Sequence, residues 1–128
     1  DGADAWAMIT YHFDISGGSC YSDGNADLSD LLITVPYTIT MPCWRPLPGT
    51  NRDLITNFDN LMSLIAWHEL EHLSIAQKHS YILQQRLKDS NTCNETIFGD
   101  IWNEIHAQNE RAQDAFHDSP EGQPIPWP

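Results

Sequence analysis

The sequence predicts an α+β domain, a small antiparallel sheet packed on two long helices. Three observations carry that prediction. Residues 5–15 and 31–41 are rich in β-branched and aromatic side chains and read as strands. Residues 50–88 and 92–117 place apolar side chains at steps of three and four, the period of helices buried along one face. Strands come first and helices second, an order that puts the helices together on one side of a sheet.

The first strand is AWAMITYHFDI. Residues 16–30, dense in Gly, Ser, Asp and Asn, form a loop. The second strand, LLITVPYTITM, contains Pro36, which cannot donate to a ladder and so predicts an edge position or a bulge. Residues 42–50 (PCWRPLPGT) make a Pro-rich crossing. Thr50 with Asp53 resembles a capping box and opens the first helix. Leu54, Phe58, Leu61, Ile65, His68, His72, Ile75, His79 and Leu83 mark its inner stripe. Asp89-Ser90-Asn91 ends it, and Thr92 with Glu95 resembles a second box. The second helix carries Ile97, Phe98, Ile101, Trp102, Ile105, Ala112 and Phe116 on its apolar side, and residues 118–128 form a Pro-rich tail.

A chain of 128 residues with 41% hydrophobic side chains and five tryptophans is enough for a single globular domain, here residues 1–128. It begins at Asp1 without a leader and reads as a processed mature chain or a trimmed one. No apolar run approaches the length of a membrane span. The formal charge is −12, with six Lys plus Arg. Such a surface repels phosphate backbones and anionic membranes, so neither nucleic acid nor a membrane is an expected partner, whereas basic peptides are attracted. Cys20, Cys43 and Cys93 contain no CxxC pair, which speaks against a zinc knuckle. They are far enough apart for one long-range disulfide, with one thiol left over. Asn94-Glu95-Thr96 is an N-glycosylation sequon from which no glycan is read.

The chemistry sits in His68-Glu69-Leu70-Glu71-His72, which satisfies HExxH. On a helix, residues four apart share a face, so both imidazoles can reach one ion. These ionisable groups lie on the apolar stripe, where they are costly unless compensated. A metal supplies that compensation, and a glutamate beside a metal-activated water is the metalloprotease arrangement. The same five residues satisfy the inverted pattern HxxEH with Glu71 as base. The two glutamates flank the histidine face symmetrically, so helix geometry leaves both open; Glu69 is preferred because HExxH is the commoner arrangement. His79 lies about 10 Å further along a continuous helix, too far to share the ion. If the helices form an antiparallel hairpin, residues 109–117 come level with 68–72. This ranks His117 first as third ligand, then Glu110 and His106. His12, on the first strand, is a further candidate to polarise a substrate carbonyl, although an ordinary strand histidine is the preferred reading.

The chain resembles a family of bacterial secreted proteins, regarded as zinc-dependent proteases of zincin type and catalogued as a domain of unknown function. The resemblance rests on the aromatic strand Trp6–Phe13, the Gly17-Gly18-x-Cys20 turn, the Pro42-x-Trp44 step, HExxH on a long helix, and Cys93 before a final helix. It implies a zinc site at His68 and His72, Glu69 as general base, and a Cys20–Cys93 disulfide with Cys43 free. The C-terminus departs from the family's Gln-x-x-Tyr-Asp and Thr-x-His-Gly segments. His117 stands where the family has Asp, and Glu121 where it has His, before Gly122. Each change keeps a ligand-type side chain, so Glu121 joins His117, Glu110 and His106 as a candidate.

The function expected from the sequence is therefore a secreted or periplasmic zinc metallopeptidase acting on a peptide or protein substrate. Its site is Glu69 as catalytic base with His68, His72 and His117 as Zn²⁺ ligands. The alternative is a non-catalytic binding or assembly module that keeps a structural metal.

Overall fold

A computed structural model describes residues 7–122. Residues 5 and 6 of the expected first strand, the side chain of Glu121 and residues 123–128 of the tail lie outside the described residues. The class is α+β, with short antiparallel strand pairs followed by two long helices.

The two expected strands are each broken into two. β1 (Met8–Tyr11) pairs with β6 (Tyr37–Thr40), and β2 (Asp14–Ser16) pairs with β5 (Leu32–Thr34). Both stretches keep one register, with Tyr11 opposite Tyr37 and Asp14 opposite Thr34. The interruption falls at His12–Phe13 and Val35–Pro36. Proline has no N–H to give the ladder, and one bond from His12 N–H to the Pro36 carbonyl (3.4 Å) spans the gap. The result is one bent ribbon in place of two unbroken strands.

At its tip, β3 (Ser19–Cys20) pairs with β4 (Ala26–Asp27). Gly17 (φ +74°) turns the chain into this hairpin, and a Cβ there would lie 2.3 Å from the Asp30 carbonyl oxygen. Asp30 Oδ1 accepts the Gly18 N–H at 2.9 Å, so the turn needs glycine both for its left-handed backbone and for space.

The helices are α1 (Arg52–Ser90) and α2 (Glu95–Asp118). Neither expected capping box forms. Asn51 caps α1, accepting the Asp53 N–H at 2.7 Å, while the Thr50 hydroxyl turns back to the Leu47 carbonyl. Asn94 caps α2, accepting from Thr96 and Ile97 N–H groups, and Thr92 accepts the Asn94 N–H. In both cases an asparagine closer to the helix satisfies the first free donors, which is the preferred N-cap chemistry. Asn91 (φ +46°) ends α1 in the left-handed conformation. The short turn and the cross-links Arg86–Glu104 (2.8 Å) and His72–Gln113 make the pair an antiparallel hairpin.

Leu83 and Leu87 of α1 and Ile105 of α2 are fully buried and pack with Ala76, Phe13, Leu28, Leu31 and Ile33 in one core. The ribbon is held on the hairpin by that contact and by Gln84, whose side-chain oxygen accepts the Ile33 N–H at 2.9 Å. The Cys20–Cys93 disulfide, with a Cα–Cα distance of 5.9 Å, ties the ribbon tip to the interhelical turn, and Cys43 is free and exposed. Closing a span of 73 residues restricts the unfolded chain by about 4 kcal/mol. Cys20→Ser is therefore expected to lower the urea midpoint well below that of the oxidised wild type; coincident unfolding curves would show that the bridge contributes nothing.

Candidate metal centre

The ribbon places β1 over α1 at the level of the HELEH turn, and α2 runs back alongside. His68 and His72 share the inner face of α1, and their rings lie 5.0 Å apart. The His117 ring, from the last turn of α2, is 4.5 Å from that of His72 and 5.8 Å from that of His68. One nitrogen from each of the three falls within 4.8 Å of the others, so the group could hold a metal ion. Phe116 packs against both α1 histidines, at 5.1 and 4.9 Å between centroids.

The electrostatics follow from burial. His68 is held below its ordinary pKa by desolvation first, and then by His72 and His117. That favours the neutral imidazole a metal requires. Its Nδ1 is buried without a hydrogen-bond partner among the described residues, a cost of about 1–3 kcal/mol that coordination at this nitrogen would remove. Glu69 is only 8% exposed. Burial pushes its carboxyl up, opposed by His72, His117 and the backbone N–H of Ile9.

His72 is clamped by one side chain. Gln113 Nε2 donates to the His72 carbonyl at 3.0 Å, which fixes the orientation of the amide, and Gln113 Oε1 then accepts the Nδ1–H of His72. This tautomer leaves the Nε2 lone pair of His72 for a ligand, the outer-shell arrangement typical of metal-bound imidazoles. Gln113 and the buried Asn109 also donate to the Tyr11 hydroxyl, at 3.2 and 2.8 Å. Ala7, Met8, Ile9, Tyr11, Glu69, His72, Gln113, Asp114 and His117 line one open cleft of about 350 Å³.

Residues 1–123 match the family model described as a bacterial protein of unknown function, DUF922. The chain belongs to that family. No curated protein and no solved structure matches it significantly.

In this DUF922 domain, the nominated residues other than Glu121, whose side chain lies outside the described residues, fall into separate groups. His68, His72 and His117 converge, and Glu69 lines the cleft beside them while Glu71 does not. His106 and Glu110 sit further along α2, lining a second cavity with His12, Phe13 and Trp102. His106 Nδ1 bonds the Trp102 carbonyl at 2.9 Å, and its ring packs at a tilt against those of Phe13 and Trp102. His79 is buried and its Nδ1 bonds the Ile75 carbonyl at 2.8 Å, the role of a packed helix histidine. His12 lies at the break after β1 and does not line the cleft; with Tyr11 it lines two other cavities. Sequence reasoning did not find Tyr11, Asn109 or Gln113. A signal existed: Asn109, Gln113 and His117 recur at steps of four on α2, a polar row set into the apolar stripe.

Proposed function

We propose that this DUF922 domain is a zinc-dependent metallopeptidase. The observation that carries the reading is the convergence of His68, His72 and His117 beside a cleft whose wall holds His72, His117 and Glu69. The donors fit zinc: three imidazoles are ligands it accepts, one of them already oriented by Gln113, and the unpaired His68 Nδ1 has nothing else to bond among the described residues. Three protein donors among the described residues is the number of a catalytic zinc site, where a closed structural one has four.

His68, His72 and His117 would hold the ion, which when bound supplies a polarising charge for a carbonyl and for water. Glu69 accepts the proton of the attacking water and returns it to the leaving amine. Its raised affinity for a proton suits both transfers. β1 forms one wall, and the Ile9 N–H on its inner edge faces Glu69, so an extended peptide lying along the strand would meet backbone donors beside the base. The net charge of −12 favours basic substrates. The disulfide fits an oxidising compartment, and no helix among the described residues is long and apolar enough to cross a membrane; a secreted or periplasmic location is part of this reading.

The expected result is stoichiometric zinc in the purified protein and hydrolysis of a mixed peptide library that EDTA stops and zinc restores. A fully zinc-loaded protein that cleaves nothing in the library would rule the reading out.

A further inference from the structure

The Tyr11 hydroxyl is held in an unusual way. Both groups that hydrogen-bond it are amide nitrogens: Asn109 Nδ2 at 2.8 Å and Gln113 Nε2 at 3.2 Å. Gln113 cannot be turned around, because its Nε2 faces the His72 carbonyl, which only an NH₂ can satisfy. Its second hydrogen is shared between the Tyr11 oxygen at 3.2 Å and Asn109 Oδ1 at 3.3 Å, and the latter contact leaves Nδ2 of Asn109 toward the tyrosine. Asn109 is 4% exposed, so packing holds its side chain in place. A phenol has two acceptor positions and one donor. With amide donors on the acceptor side, the O–H has no acceptor among the described residues, and Tyr11 lines the cleft that holds Glu69, His72 and His117.

A pair of amides, one of them buried, that occupies the acceptor side of a hydroxyl and leaves its O–H to donate at the rim of the cleft is a preorganised arrangement of the kind that stabilises developing negative charge. We propose that Tyr11 is a catalytic residue of this site, its O–H donating to the carbonyl oxygen as negative charge develops there. The proposal rests on the peptidase reading and adds a residue to it. As the water oxygen bonds to the carbonyl carbon, one water proton passes to Glu69 and the C=O π pair moves onto the oxygen, where Tyr11 donates. That pair then re-forms the C=O bond, the C–N bond breaks with its electrons on nitrogen, and the proton from Glu69 completes the amine. Asn109 and Gln113 are positioning residues, and Gln113 joins the two halves of the site by holding His72 with its oxygen and Tyr11 with its nitrogen.

Tyr11→Phe keeps the ring and removes the donor. Two readouts on zinc-loaded protein separate the roles: steady-state hydrolysis of a peptide library, and affinity for acetohydroxamate, an oxyanion-bearing zinc binder, by calorimetry. The expected result is unchanged zinc stoichiometry, kcat lowered by about 10²–10³-fold with KM preserved, and acetohydroxamate weakened by about tenfold or more. Wild-type kcat and wild-type acetohydroxamate affinity in the variant would overturn the proposal. So would loss of zinc along with activity, because Tyr11 would then serve only to brace Gln113. If the wild type binds zinc but hydrolyses nothing, the peptidase reading fails, and the acetohydroxamate comparison still decides whether Tyr11 donates.

Discussion

Glu69→Gln is expected to retain stoichiometric zinc while kcat falls by about 10²–10⁴-fold, the usual worth of a positioned general base. The substitution preserves shape and removes proton affinity. Glu69 is buried at the wall of the cleft and the Ile9 N–H faces it, so an amide oxygen can keep that contact and the fold should not change. Glu71→Gln is the matched control. Glu71 is partly exposed and does not line the cleft, so its loss should leave hydrolysis and zinc untouched. Reversed outcomes for the two variants would move the base to Glu71 and the site to the inverted HxxEH order. Unchanged turnover in both would remove carboxylate base catalysis from this helix.

The second large effect is expected from His117→Ala. His117 is the member of the cluster that α2 contributes, so its removal takes the group from three donors to two. Loss of an outer-shell partner commonly costs 10–100-fold in metal affinity, and loss of a direct ligand should exceed that. In wild type, zinc at about one hundred times its Kd stabilises the fold by about 2.7 kcal/mol; in the variant, the thermal shift with the same zinc should vanish while the apo melting temperature stays close to wild type. His106→Ala, on the same helix but in the other cavity, should keep the full shift. Tight zinc binding by His117→Ala would return the third position to another side chain and undo the site as drawn.

The α+β class was legible because it depends on local pattern. Alternating β-branched and aromatic residues, then two long runs at helical period, leave few other layer arrangements. Where the local pattern was weak, the reading was coarse. Pro36 was recognised as a disturbance, but its effect was to divide the ribbon at His12–Phe13 opposite Val35–Pro36, which needs the partner strand to be known. The helix starts were placed near the right residues with the wrong caps, since Thr50 and Asn51 are adjacent candidates and only the path of the incoming chain decides which side chain reaches the first free N–H groups.

The sequence by itself determined the layer class and the pairing of His68 with His72, because a helix repeats every 3.6 residues whatever surrounds it. It ranked His117 first among several candidate ligands at the right level. The tertiary structure decided the rest. The level at which α2 passes α1 in the hairpin brings Gln113 and His117 to the cleft and leaves His106, Asn109 and Glu110 at a second cavity further along the helix. The descent of β1 onto α1 puts Glu69 under cover and leaves Glu71 outside it, breaking a symmetry that a lone helix cannot break. Both depend on how Phe13, Ile33, Ala76, Leu83, Leu87 and Ile105 fill one core. That packing fixes the level and rotation of each element, and it is a property of the assembled chain that no single segment's periodicity contains.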